Sequence, residues 1–240
     1  FVGLDFPEQA NIFATVNLKQ TKVSKSLVYD LETYTKTRSP QKTAHDLVVA
    51  LDLNVKSPFY GRIKRLGFKN DKTENLTQAM LVEQFVKLMS KEPMKDRDIL
   101  LRKEKKSFTQ FRKEELDRFK IADGRIFRDM FLDNKDESIL ITATSFFKAV
   151  EEKWPISWDL KTTKSVLNKT VGIKALFRVM RDFMKDLMAR ENDTISPVRL
   201  QKFRELLEKV DINDDYFTSL DATSTSEGRI YNKIREEYLR

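Results

Sequence analysis

The chain has no cysteine, a single histidine, and only six glycines and six prolines in 240 residues. Without cysteine there are no disulfides, no thiolate zinc sites and no cysteine nucleophile, which fits a reducing cytoplasm. So few glycines and prolines supply little turn chemistry for a β-sandwich and favour long helices with short connections. No run approaches eighteen uncharged apolar residues, so no segment reads as crossing a membrane. His45 falls inside a helical pattern and has no nucleophile beside it. Its neighbour Asp46 is one residue away, and adjacent helical residues do not share a face, so a surface or partly packed histidine is expected rather than a general base. No Ser/His/Asp set, paired-carboxylate motif or metal-ligand cluster emerges. Asp211-x-Asn213-x-Asp215 imitates the start of a calcium loop, but Tyr216 stands where glycine is needed and Ala222 where the bidentate glutamate belongs. The expectation is no catalytic residue, no metal and no cofactor in this segment.

What the chain does have is amphipathic material. Hydrophobic residues make up 40% and charged residues 34%, a balance that suits helices with one apolar stripe and one solvated face. The length suffices to bury a sizeable core. The net charge of +8 is unevenly spread: residues 1–70 hold eleven Lys/Arg against six Asp/Glu, whereas residues 126–240 hold twenty of each. The basic excess therefore lies toward the N-terminal side, where it would attract a polyanion such as nucleic acid. Solvated helix faces and turns would produce the same counts.

Periodicity and caps set the element order. Asp5, with Pro7 and Glu8 behind it, starts a helix through Ala10, Phe13 and Ala14. Ser24 caps a second, with Leu27, Leu31 and Tyr34. Ser39-Pro40 opens a third, with Ala44, Leu47, Val48 and Leu51 on its apolar face. Ser57 to Gly67 is punctuated by proline and two glycines and reads as a short extended piece. Thr77 caps a helix that ends near Pro93. Residues 94–120 are dense in charge and read as a loop-rich connector or protruding helix. Ile139 to Val150 is strongly apolar and stops at Trp154-Pro155, and both Trp154 and Trp158 read as packing residues. Thr170 to Met188 is the clearest amphipathic helix. Ser196-Pro197 opens another to about Val210, and a polar stretch from Thr218 to Gly228 precedes the last helix, through Ile230, Ile234 and Tyr238. The expected fold is mainly α, about ten helices with a small β portion near the N-terminus. Three regions are expected: 1–70, a charged helical connector over 71–125, and a helical domain over 126–240.

Three stretches are candidates for anion contact. Asn17, Lys19, Gln20, Lys22 and Lys25 sit where one helix ends and the next begins, so amides, cations and a helix N-terminus coincide. Tyr60, Arg62, Lys64 and Arg65 interleave an aromatic with three cations, the composition of a site that stacks a base and holds phosphates. A partly buried loop plugged by Phe59 and Tyr60 would have the same composition. The third is a candidate phosphate loop, Ser224, Ser226 and Arg229, although it lacks the spacing and lysine of a P-loop and also reads as a polar connector.

Part of the sequence resembles a known family. Phe1-Val2-Gly3-Leu4, Asp5-Phe6-Pro7-Glu8-Gln9-Ala10-Asn11-Ile12-Phe13 and Asn17-Leu18-Lys19-Gln20-Thr21-Lys22-Val23-Ser24-Lys25-Ser26-Leu27 resemble the segment following the signature pentapeptide of DGQHR-domain proteins. That group includes DndB-like, DNA-sulfur-modification-associated proteins. Ser57-Pro58-Phe59-Tyr60-Gly61-Arg62-Ile63-Lys64 is similar to a second string of the family. Ile139 to Trp158, Leu167 to Leu176 and Ser226 to Tyr231 are looser matches. The pentapeptide is absent; its nearest counterpart is Asp123-Gly124-Arg125-Ile126-Phe127. There is no initiator methionine, so the chain is expected to be the C-terminal part of a longer protein. The resemblance implies that residues 1–70 end a DGQHR domain and keep a remnant of a ParB/sulfiredoxin-like α+β fold. It also implies a DNA-binding, regulatory role in a prokaryotic phosphorothioation or phage-defence locus, with DNA and other proteins of that locus as partners. Two alternatives stand beside it. One is a helical adaptor docking a partner between the 139–153 and 170–188 helices. The other is part of a ParB-like nuclease or NTPase whose catalytic residues lie upstream.

Overall fold

The computed structural model describes residues 3, 5–18, 27, 29, 37–65, 71, 73–105 and 116–240. Among them are eleven α-helices, one 3-10 turn and two two-residue strands, so the fold is mainly α. In order they are α1 (Phe6–Leu18), α2 (Pro40–Leu53), β1 (Ile63–Lys64), β2 (Leu76–Thr77), α3 (Gln78–Met89), α4 (Pro93–Lys105), α5 (Arg128–Leu132), α6 (Asp136–Lys153), α7 (Pro155–Trp158), α8 (Thr170–Glu191), α9 (Leu200–Glu208), α10 (Asp214–Thr218) and α11 (Ser224–Leu239). The strands pair in parallel, Ile63 with Leu76 and Lys64 with Thr77.

Local chemistry sets several helix starts where the sequence places them. Asp5 and Glu8 form a reciprocal capping box, with Glu8 N–H donating to Asp5 Oδ1 at 2.9 Å and Asp5 N–H to Glu8 Oε2 at 3.1 Å. Ser39 Oγ accepts from Lys42 N–H at 3.0 Å. Thr77 Oγ1 accepts from Met80 N–H at 3.4 Å, a long cap. The helix capped by Ser24 lies outside the described residues, apart from Leu27 and Tyr29.

Three boundaries differ from expectation. The Ser196-Pro197 helix begins only at Leu200. Asp193 Oδ1 takes the N–H groups of Ile195 and Ser196, and Val198 N–H donates to Thr142 Oγ1 at 3.0 Å, so the segment is tied to α6 as a loop. The polar stretch before the last helix is shorter, because α11 already starts at Ser224 and takes Gly228 into its second turn. Residues 93–105 form a helix, one of the two alternatives read there, but a packed rather than protruding one, with Asp96 and Ile99 buried.

The core is built around α8. Residues Ile173, Leu176, Phe177, Met180, Phe183, Met184 and Leu187 recur at three- and four-residue intervals and are all buried. α11 lies along α8, α9 lies along α6, and α3 packs on α2, α5 and α8. Aromatic edges join these layers. Phe147 meets Phe177 at 5.2 Å, Phe146 meets Phe183 at 6.3 Å and Phe203 at 5.4 Å, and Phe85 meets Phe177 at 5.2 Å. Each such pair adds roughly 0.5–1.5 kcal/mol beyond area burial. Trp154 is buried and donates from Nε1 to Ile212 O at 2.7 Å, and Trp158 packs on Phe59 and Phe147, so both tryptophans are packing residues. One contiguous cluster of buried residues runs from Tyr29 to Ile234. The expected boundaries after residues 70 and 125 do not divide it: α3, assigned to a connector, is a central core helix.

Candidate nucleic-acid interface

The turn from Ser57 to Arg62 is anchored from both sides of its chain. Ser57 Oγ accepts from Phe59 N–H at 3.1 Å, Tyr60 N–H donates to Ser57 O at 3.1 Å, and Gly61 N–H donates to Asp52 O at 3.1 Å. Gly61 sits at φ +63°, a left-handed conformation that glycine adopts without a Cβ penalty. Phe59 points inward with no exposure and meets Phe147 at 4.7 Å and Trp158 at 5.7 Å. Tyr60, the next residue, is 54% exposed.

Arg62 corrects the sequence reading. It is 5% exposed, its guanidinium lies 4.8 Å from the Trp158 ring, and it donates to Pro58 O at 3.4 Å and Asn168 O at 3.2 Å. Burial pushes its pKa down to about 10, opposed by the charge of Glu151, so it stays protonated at neutral pH. A guanidinium committed to two carbonyls and an indole face is not presented to a phosphate. Lys64, on the strand that follows, and Arg65, just past it, are half-buried. Beneath them, Asp52 accepts Ile63 N–H at 3.2 Å, and its pKa is raised by burial, against the lowering effects of that bond and of Arg65.

The tertiary fold adds residues that local reading did not single out. The loop from Asp159 to Lys169 is fastened to the β1 region through Asn168, whose carbonyl accepts from both Arg62 and Asn75, the latter at 2.6 Å. Asn168 Nδ2 closes the loop on Asp159 O at 2.8 Å. This brings the segment bearing Lys161, Lys164 and Lys169 against the one bearing Lys56, Lys64 and Arg65. None of these six cations has a carboxylate within 4 Å among the described residues. The lysines at 161, 164 and 169 carried no local signal, because their relevance depends on contacts across about a hundred residues.

The other sequence candidates fare differently. Lys19, Gln20, Lys22 and Lys25 lie outside the described residues, and Asn17 is placed only as part of α1. At the start of α11, Ser224 and Arg229 are exposed but Ser226 is buried. Ser226 Oγ donates to Asp221 O, and the Thr223 hydroxyl lies 2.8 Å from that of Thr225 and 3.1 Å from that of Ser226. Ser226 is therefore committed to its own turn rather than open to a phosphate. The expected docking groove between 139–153 and 170–188 is filled by Phe146, Phe147, Phe177 and Phe183, and Phe203 of α9 and Tyr238 of α11 pack onto those rings. His45 is 2% exposed, and its Nδ1 lies 3.1 Å from Asp46 Oδ1, so the two adjacent side chains do meet, at the edge of the helix.

A second charged cluster is internal. Arg128, with no exposure, donates to Asp96, Met89 O and both the carbonyl and carboxylate of Asp117. Arg125 pairs with Asp117 and Asp123, and Gly124 between them adopts φ +71°. The Asp117 carboxyl is held below its ordinary range, first by the Arg125 hydrogen bond. For Asp123 burial acts upward, but Arg125 outweighs it and the pKa is lowered. This arrangement ties α4, α5 and the intervening segment together. Among the described residues no group of His, Asp and Glu is arranged to hold a metal, and no helix is long and apolar enough to cross a membrane.

No family model matches this chain, and neither does any curated protein or solved structure.

Proposed function

We propose that this chain is a DNA-binding, regulatory component of a prokaryotic DNA phosphorothioation or related defence locus, and that it contacts phosphates through a basic face. The observation that carries the DNA contact is the fastening of the 159–169 loop onto β1. It brings the segment that bears Lys161, Lys164 and Lys169 to the one that bears Lys56, Lys64 and Arg65, and none of the six has a carboxylate within 4 Å among the described residues. A group of cations that outnumbers the carboxylates beside it, Asp52 among them, lowers the local potential energy of a polyanion and gains affinity by releasing its condensed counterions. The link to a modification or defence locus rests on the resemblance of residues 1–27 and 57–64 to DGQHR-domain proteins.

The test is DNA binding across a salt series. Binding through several phosphates makes log K fall linearly with log salt, by about 0.9 per contact on a duplex and about 0.7 on a single strand. Changing Lys64, Lys161, Lys164 and Lys169 together to Ala is expected to weaken binding at low salt and flatten the slope by about three units. Lys202→Ala, which removes a cation paired with Glu191 and outside this face, is expected to leave the slope unchanged. An unchanged slope in the quadruple variant would remove this face from the site.

A further inference from the structure

Tyr60 deepens that reading, on which the inference rests. Its ring has no aromatic neighbour and its hydroxyl no hydrogen-bond partner among the described residues, and it is more than half exposed. Here its neighbour Phe59 takes the buried position, and the turn holding both is locked by the Ser57, Asp52 and Gly61 bonds described above. The side chain is thus displayed on a fixed backbone, where ordering a ligand against it requires fixing only two torsions. Lys64 follows on the adjoining strand and Arg65 just past it, and Lys169 is one peptide from the Asn168 carbonyl that Arg62 holds.

We infer that the preferred ligand of this face is unpaired nucleic acid, with one base stacked on Tyr60 and the flanking phosphates held by Lys64, Arg65 and Lys169. A duplex offers phosphates to the cations but keeps its base faces inside the stack, so an exposed ring beside them adds nothing. A single strand offers a phosphate chain and free base faces together, and every base has a π-face, so the contact does not depend on sequence.

The experiment uses the full chain, with fluorescein-labelled oligo(dT) and a mixed-sequence duplex of equal length, both followed by anisotropy. Wild type is expected to bind the single strand at least fivefold more tightly than the duplex. Tyr60→Ala is expected to lower single-strand affinity about tenfold while leaving duplex affinity within twofold, and Tyr60→Phe to retain wild-type affinity. Tyr60→Trp is expected to bind like wild type, with its added fluorescence quenched on addition of oligo(dT). Because Tyr60 is exposed, these variants are expected to keep the wild-type melting temperature, which is measured for each. Equal affinity for both ligands with a steep salt slope, or an equal loss for both in Tyr60→Ala, would overturn the stacking inference and leave the basic face standing. Absence of binding to either ligand at low salt would overturn both.

Discussion

Arg128 is the side chain whose removal the structure makes most consequential. It is fully buried and donates five hydrogen bonds: Nε to Asp117 O at 2.8 Å, Nη1 to Met89 O at 3.2 Å and to Asp96, Nη2 to Asp96 Oδ1 at 3.3 Å and to Asp117 Oδ1 at 3.1 Å. Asp96 is nearly as deep, and its other partner is Ser90 Oγ at 2.6 Å. Arg128→Met keeps most of the packing volume but leaves Asp96 as a buried carboxylate with one neutral donor. Breaking a buried pair from one side costs about 3–5 kcal/mol, because the stranded charge loses its compensation. That is a large share of the 5–15 kcal/mol that typically holds a domain together. Asp96→Asn is milder: an amide oxygen can still accept from the guanidinium, so about 1–3 kcal/mol is expected. The double variant removes the stranded charge together with the cation and is expected to be more stable than the sum of the single losses by about 1–3 kcal/mol. Urea unfolding followed by the fluorescence of the buried Trp154 and Trp158 reads these differences as shifts in midpoint at constant slope. Additive single losses, or an Arg128→Met loss below about 1 kcal/mol, would refute the account of this cluster as a buried, mutually dependent pair.

Gly172→Ala is expected to destabilise by about 2 kcal/mol or more, although alanine is the better helix former. A Cβ there would lie 2.3 Å from Leu167 O and 2.4 Å from Val166 O, backbone atoms of two residues whose side chains are fully buried, and the thermal midpoint of the variant measures the loss. Arg125→Met is expected to change the acid limb of stability: Asp117 and Asp123 have folded pKa values below their unfolded ones, so Arg125 contributes stability that is fully present above about pH 4 and lost as pH falls through the depressed values. The gap between wild type and variant should therefore shrink from pH 6 to pH 2 in a series of melting curves, and a gap that stays constant would contradict the assignment.

Residues whose determinants are local were legible in the sequence. The caps at Asp5, Ser39 and Thr77 and the stripe of α8 depend on spacings of three and four residues, and they stand where the pattern places them. Trp154-Pro155 stops α6 because a residue before proline is driven out of the helical region, and Pro155 then opens a short new helix. Where a nonlocal contact competes, the reading moved. Ser196-Pro197 is a good helix start, yet the bond from Val198 to Thr142 holds those residues in a loop. Residues 71–125 read as a charged connector in the sequence, but Asp96, Asp123 and Arg125 are turned inward because each finds a partner there.

What the amino-acid sequence determined by itself is the helical character, most element positions, the buried aromatics and the overall positive charge, since each follows from residue type and short-range periodicity. Which cations are taken inside the fold was decided by tertiary structure alone. Arg62 and Lys64 are two residues apart and carry the same charge, yet Trp158 and the carbonyls of Pro58 and Asn168 take Arg62 inside, while Lys64 has no carboxylate within 4 Å among the described residues. The same anchor on Asn168 brings the lysines of the 159–169 loop to that strand from a hundred residues away. The physical reason is that burial of a charge depends on partners from elsewhere in the chain, and no local pattern records where those partners will be.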